Sequence, residues 1–129
     1  MCCEYINNPL TFNGFKFDLR IYVAITSLNP LRIYIYEEGL TRFATCKYTA
    51  AQNSQQGFSK ASKFMHLTNF SVNKKNLNFV QNDDSDDRHS SKWSITNLRK
   101  AMREQGIDDV PIWRKIEDIC IKTVLSAEQ

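Results

Sequence analysis

Along Lys16-Phe17-Asp18-Leu19-Arg20-Ile21-Tyr22-Val23 apolar and polar residues take turns, and the alternation continues to Thr26. Successive side chains of an extended strand point to opposite faces. Phe17, Leu19, Ile21, Val23 and Ile25 therefore form one side, and Lys16, Asp18 and Arg20 the other. The pattern predicts a strand that rests its apolar side on a core and holds a Lys/Asp/Arg row rigidly on its opposite side. Such a row suits a phosphorylated ligand. It equally suits a half-buried strand with an internal salt bridge on its wet side.

Leu28-Asn29-Pro30 is a turn signal, and Leu31 to Tyr36 alternates again, so the two runs predict an antiparallel hairpin. Glu37-Glu38-Gly39 is expected to close it before a short segment at Arg42-Phe43-Ala44-Thr45. A polar stretch without period predicts a flexible loop over about 49–63, after which Phe64 to Val72 recovers order. The acidic run Asn82-Asp83-Asp84-Ser85-Asp86-Asp87 predicts a second flexible loop over about 81–91. It lacks the spaced ligands and glycine of a calcium loop. From Lys92 the period becomes helical. Asp108-Asp109-Val110-Pro111 marks a helix start, with acidic residues at the cap and proline in the first turn. The stripe Ile112, Ile116, Ile119, Cys120, Thr123 and Val124 follows, opposite Arg114, Lys115, Asp118 and Lys122, and Cys120 reads as a small core residue.

The 129 residues leave room for one domain at most. A 42% hydrophobic and 24% charged composition is that of an ordinary soluble globular protein. No apolar run is long enough to span a bilayer, and Met1-Cys2-Cys3-Glu4-Tyr5 lacks the features of a signal peptide, which points to the cytosol or nucleus. Four cysteines without metal or redox spacing fit that address. A net charge of +3 permits an acidic partner. Lys74-Lys75 with Phe70, Phe79 and Trp93 touches on nucleic-acid binding, but the charge is small and no recognised module is present.

The four glycines are scattered, so neither glycine-rich phosphate fingerprint occurs. No nucleophile with an adjacent histidine and acid stands out. Phosphate would have to be held by Lys16, Arg20 and Arg42 on strands. Arginine grips carboxylate or phosphate bidentately, and lysine acts as a point charge. His66-Leu67-Thr68-Asn69 is a polar run where a loop would meet a sheet; Thr68 and Asn69 fit either a nucleotide contact or a turn cap.

Several blocks occur in one order: Tyr5-Ile6 with Pro9-Leu10, Gly14 through Val23, Pro30-Leu31-Arg32-Ile33-Tyr34, Glu38-Gly39-Leu40 with Arg42-Phe43-Ala44, Met65-His66-Leu67-Thr68-Asn69, and Ser71-Val72-Asn73-Lys74. They continue through Lys92-Trp93-Ser94, Ile116-Glu117-Asp118 and Ile121-Lys122-Thr123. On these blocks the chain closely resembles the tubulin tyrosine ligase-like family, within its glutamate-adding (polyglutamylase) branch, over essentially its whole length.

The resemblance implies an α/β (α+β), ATP-grasp-like fold, here the central part of a catalytic domain over residues 1–129, with an antiparallel sheet and packed helices. It implies an ATP-dependent ligase that activates a carboxylate of a tubulin tail as an acyl phosphate and joins free L-glutamate to it. Position by position, Tyr5 and Ile6 match the segment framing the adenine. Lys16 matches the phosphate lysine, Asp18 a nucleotide-contacting acid, and Thr68 and Asn69 further nucleotide contacts. Arg20 matches a catalytic arginine near the transferred phosphoryl group. Arg42, Phe70, Ser71 and Lys92 match the amino-acid pocket. Cys3 stands where many relatives have Gln, and Phe70 where relatives usually have Tyr, which removes a hydroxyl. The family's magnesium ligands lie C-terminal to the matched region, so the resemblance implies ATP and Mg2+ as cofactors, no metal ligand within this chain, and no turnover by this segment alone. Expected partners are tubulin or microtubule tails, which are acidic, and free L-glutamate, with no nucleic acid and no membrane. The expected address is the cytoplasm and cytoskeleton, including the cilium or basal body. The competing expectation is a non-catalytic relative that binds nucleotide or an acidic tubulin tail.

Overall fold

The computed structural model describes residues 4–49, 60–79 and 90–127. Its elements are β1 (Thr11–Phe12), β2 (Phe15–Leu28), β3 (Leu31–Lys47), α1 (Lys60–His66), α2 (Phe70–Asn73), β4 (Lys92–Ser94), α3 (Ile95–Glu104) and α4 (Val110–Ala127). The strands form one antiparallel sheet in the order β1-β2-β3-β4, so the mixed α/β class with an antiparallel sheet is as expected. The chain divides into two compact units, Met1–Leu19 with Thr41–Trp93, and Arg20–Leu40 with Ser94–Gln129.

In the first unit β1 turns into β2 through Asn13 and Gly14, which sit at φ 53° and 81°. Thr11 pairs with Lys16 and Phe12 with Phe15. A two-residue hairpin loop of type I′ needs positive φ at both central positions, and Asn-Gly is a dipeptide that accepts this at little cost. The turn delivers Phe12 into an aromatic cluster. Phe12, Phe43 and Trp93 are buried, with Trp93 5.6 Å from Phe12 and 4.9 Å from Phe43, and Phe17 5.8 Å from Phe43 between ring centroids. These tilted and edge-on contacts are the arrangements the ring quadrupoles favour. The Phe43 amide donates to the Ser91 carbonyl at 3.0 Å, which fixes the strand edge leading to Trp93.

In the second unit the hairpin arms of β2 and β3 meet at Asn29–Pro30, as the turn signal indicates. Helix α3 buries Ile95, Leu98, Ala101 and Met102, one stripe at helical spacing. Each large apolar side chain so buried contributes about 1.5–3 kcal/mol. Ser94 caps the helix by accepting from the Asn97 amide at 3.1 Å. Glu38 adds a second cap from the hairpin: one carboxylate oxygen accepts from the amides of Ile95 (2.8 Å), Thr96 (3.3 Å) and Gly39 (3.0 Å), the other from the Thr96 hydroxyl at 2.7 Å. Burial works against the Glu38 charge, but these four bonds outweigh it and hold the pKa below its ordinary value.

Gly39 makes this junction possible. A Cβ there would lie 2.3 Å from the Arg20 carbonyl oxygen and 2.7 Å from Ile95 Cδ1. Glu37-Glu38-Gly39 therefore does not close the hairpin; β3 runs unbroken from Leu31 to Lys47 through the close approach, and Arg42 to Thr45 belong to it. Helix α3 ends in a Schellman pattern, with the amides of Gly106 and Ile107 donating to Arg103 and Met102, each at 2.9 Å.

Helix α4 begins where the acidic signal places it, although the two aspartates divide the work. Asp108 accepts from the Val110 amide at 3.0 Å. Asp109, 3% exposed, turns away to bind Arg99 and Arg103, the latter at 2.5 and 3.0 Å. The Arg99 guanidinium in turn lies 4.9 Å from the centre of the Trp113 ring.

Other expectations need correction. Helix α1 occupies the end of the stretch read as a loop to Lys63, and β4 precedes the helical period at Lys92. The remainder of the two loop assignments, residues 50–59 and 81–89, lies outside the described residues; Ser90 and Ser91 are described, and the Ser90 carbonyl accepts from Trp93 Nε1 at 2.9 Å. On β2, Phe17, Leu19 and Ile21 are half-buried, but Val23 and Ile25 are 39% and 50% exposed. On α4 no residue is buried; Cys120 is half-buried rather than core, and Ile119 is 62% exposed. Apolar periodicity marks which face would bury, and no described element covers these parts of the face.

Two outcomes follow from these junctions. Gly39→Ala sets a methyl against a backbone oxygen that cannot swing aside; overpacking of this kind costs about 1–3 kcal/mol, and a lowered denaturation midpoint reads it. Asp109 is held down to about 2, first by Arg103, then against burial with help from Arg99. A depressed carboxylate pKa means stabilisation fully present above its ordinary value and lost as pH falls toward 2. Because Arg103 is largely exposed, the effect is on the order of 1 kcal/mol. Asp109→Asn should lose it at neutral pH and show a flatter acid limb in pH-dependent unfolding.

Candidate functional site

The charged side of the first unit is built on β2 and β3. Lys16 and Asp18 share one side of β2 by alternation, and both are half-buried. The Lys16 ammonium donates to the His66 carbonyl at 2.9 Å and to the Tyr5 hydroxyl at 3.3 Å, and lies 5.0 Å from the centre of the Tyr5 ring. The Tyr5 hydroxyl is also 2.8 Å from His66 Nδ1. Both Tyr5 and Tyr48 stand edge-on to the imidazole.

Asp18 pairs across to β3. Arg42 Nε donates to both Asp18 oxygens at 3.1 Å, and Nη2 donates to one of them. Hydrogen bonding to Asp18 raises the Arg42 pKa despite some burial. The internal salt bridge that alternation allows is thus present, but between strands rather than within one. Its bidentate geometry fixes the guanidinium plane.

Helix α1 ends at His66, and residues 67–69 turn into α2, whose N-cap residue Asn69 has an extended backbone at φ −60° and ψ 129°. Asn73, 1% exposed, gathers this turn onto β3. Its side-chain oxygen accepts from the Thr45 amide at 3.2 Å and the Thr45 hydroxyl at 2.7 Å. Its side-chain nitrogen donates to the carbonyls of Leu67 at 2.7 Å and Asn69 at 3.1 Å. Asn76 supports the same point by donating to the Thr45 hydroxyl at 2.8 Å.

Phe70 lies between two ammonium groups, Lys92 at 4.3 Å and Lys74 at 5.6 Å from its ring centre. Its face attracts them through the ring quadrupole, an interaction that needs no hydroxyl. Arg42, Thr68, Phe70, Asn73 and Lys92 are among the residues around a recess of about 10 Å³, room for about one water molecule. A larger cavity of about 350 Å³ adjoins the aromatic cluster, with Phe12, Phe15, Phe43 and Trp93 in its wall. Among the described residues, none of the candidate residues and no charged side chain lines it.

The structure thus brings Lys16 together with Tyr5, Asp18 with Arg42, and Arg42 with Thr68, Phe70 and Lys92. Ile6 and Asn69 are exposed, as is Ser71, which does not line the recess. Arg20 belongs to the second unit, where its side chain is exposed. His66 and Asn73, given no role by sequence reading, make the contacts that hold Lys16 and the 67–69 turn. Their only signal is membership of the quoted blocks. Among the described residues no three His, Cys, Asp or Glu side chains are grouped to hold a metal, and no described helix is long and apolar enough to cross a membrane.

The tubulin-tyrosine ligase family model matches residues 1–129. Tubulin monoglutamylase TTLL4 of Mus musculus is 45% identical over 125 residues, covering 97% of this chain and 10% of its own. Tubulin polyglutamylase TTLL5 of Homo sapiens is 46% identical over 126 residues, covering 97% and 9%. Tubulin polyglutamylase TTLL13 of Mus musculus is 46% identical over 127 residues, covering 98% and 15%. The chain spans between 9% and 15% of the length of these relatives.

The Asp18–Arg42 pair has a direct test. In a double-mutant cycle with Asp18→Ala and Arg42→Ala, the coupling in unfolding free energy should be about 1 kcal/mol, at the upper end of the range for partly exposed pairs. Additive effects would show that the pair contributes nothing to stability.

Proposed function

The chain belongs to the tubulin-tyrosine ligase family, and from that premise we propose that the full-length protein is an ATP-dependent ligase, on an ATP-grasp frame, that adds glutamate to glutamate side chains of tubulin tails. The observation that carries the reading is the gathering of Arg42, Thr68, Phe70 and Lys92 around one recess. Lys16 bonds the carbonyl of His66, two residues before Thr68.

ATP supplies the phosphoryl group that turns a tail carboxylate into an acyl phosphate. The residues of this chain fit such a co-substrate. An ammonium has three protons. Lys16 uses two on His66 and Tyr5, which orients the third for phosphate. Thr68 and Asn69 supply hydroxyl and amide groups for the nucleotide, with Tyr5 and Ile6 at the adenine. Asp18 serves as the nucleotide-contacting acid, and its pairing with Arg42 also sets the orientation of that arginine. Arg42 and Lys92 hold the carboxylates of free L-glutamate from the outer side of the recess, which itself admits about one water molecule, with Phe70 placing Lys92 through its ring face and the exposed Ser71 as a further contact. Arg20 serves the acceptor carboxylate. This is catalysis by positioning and by charge, with no protein nucleophile. Magnesium is part of the proposed chemistry, but the described residues offer no carboxylate cluster for it, and it enters none of these roles.

Tubulin tails are acidic, and exposed Lys and Arg attract them, most strongly at low salt. The cytoplasm and cytoskeleton, including the cilium or basal body, is the corresponding address. The relatives' names, tubulin monoglutamylase and tubulin polyglutamylase, support the same reading.

The test is incorporation of labelled glutamate, glycine and tyrosine into tubulin by the full-length protein, with and without ATP. Charge-assisted bonds to the second carboxylate contribute about 1.5–3 kcal/mol, so glutamate should win at least roughly tenfold. Arg42→Ala should erase most of that preference. Equal use of glycine, or selectivity untouched in Arg42→Ala, would overturn the assignment.

A further inference from the structure

We infer that Asn73 is a positioning residue for the nucleotide: its buried amide sets the 67–69 turn, and with it Thr68 and Asn69, in register with β3. The inference rests on the reading of Thr68 and Asn69 as nucleotide contacts, and adds a residue that touches neither ligand.

Three observations carry it. Asn73 is buried with all of its amide chemistry in use, two acceptor bonds toward Thr45 and two donor bonds toward Leu67 and Asn69. The two carbonyls it holds flank Thr68, so the amide fixes the backbone on both sides of that residue. The strand it holds them to carries Arg42 three residues before Thr45, and Thr68 and Arg42 line the same recess with Asn73 itself. A helix of four residues has little stability of its own, so α2 depends on such an anchor for its placement.

Only an amide meets these demands. It offers an acceptor on one side and two protons on the other. A carboxylate of the same shape keeps the acceptor toward Thr45 but turns an oxygen toward two carbonyl oxygens. An apolar side chain takes the Asn73 oxygen from the Thr45 amide and the Asn73 nitrogen from the Leu67 carbonyl, which is costly at a buried site, while the Asn69 carbonyl keeps the amides of Val72 and Asn73.

The experiment compares full-length wild type, Asn73→Asp and Thr45→Val in steady-state glutamate incorporation, with ATP and glutamate each varied, alongside thermal unfolding. Asn73→Asp should raise the KM for ATP about tenfold or more, while the KM for glutamate stays within about twofold. Thr45→Val removes one hydroxyl and leaves the backbone bond, so the same shift should appear at about threefold. It also decides the matter if Asn73→Asp does not fold. A merely structural role predicts a smaller active fraction, with kcat lowered and both KM values unchanged in either variant; that result overturns the inference. If wild type saturates with ATP and the variants do too at unchanged KM, Asn73 is not a positioning residue, while the proposed ligase stands. If wild type needs no ATP, the ligase reading fails and the inference with it.

Discussion

The charged side of the first unit depends on one ion pair. Arg42 and Lys92 line the same recess, and two cations brought together without a counter-charge would repel one another and splay the side chains that carry them. Asp18 supplies the counter-charge from the strand next to Arg42, half-buried and bidentate. The pair also registers β2 against β3 at the level where the recess forms. Lys16 is steadied separately, by a backbone carbonyl and a phenol rather than by a carboxylate. One cation is thus neutralised and oriented, and another is only oriented. That difference suits a region in which an anion is to be bound by some groups and left room by others.

The fold was legible wherever the local pattern met a large apolar demand. Alternation on β2, the turn at Asn29–Pro30 and the helix start at Val110 follow from periodicity and turn chemistry. Gly39 misled, because glycine inside an alternating run reads as a stop, whereas here it marks a close approach of Ile95 and the Arg20 carbonyl to an unbroken strand. Asn13–Gly14 is a strong hairpin dipeptide, yet β1 has only two residues and no alternation to announce it. The three-residue β4 is held by its neighbours, with no period of its own. Val23, Ile25 and Ile119 show the converse: a face is readable, while what covers it is not.

The candidate site was legible through ordered blocks of residues more than through physics. A lysine, an aspartate and an arginine on alternating positions are ambiguous, and the salt bridge that the structure shows runs from Asp18 to Arg42 on the neighbouring strand rather than along the row. What went unread are the contacts of Asn73, Glu38 and Asp109. Each is a polar side chain that satisfies backbone amides, carbonyls or guanidinium groups from distant parts of its own unit. In sequence such residues look like surface residues, because what buries them is the partner and not their own neighbours. Phe70 is the reverse case: losing a hydroxyl looks damaging in sequence, yet its ring still engages two ammonium groups.

The chain contains two tryptophans, and they fall one in each compact unit. Trp93 is packed among phenylalanines with its indole nitrogen donating to a carbonyl, whereas Trp113 lies beneath the Arg99 guanidinium. An indole in apolar surroundings emits at shorter wavelength than one beside a charged, hydrated group. The two halves of the molecule therefore carry distinguishable optical labels that need no engineering. Loosening of the aromatic cluster would redden one signal, and release of Asp109 from its arginines would alter the other.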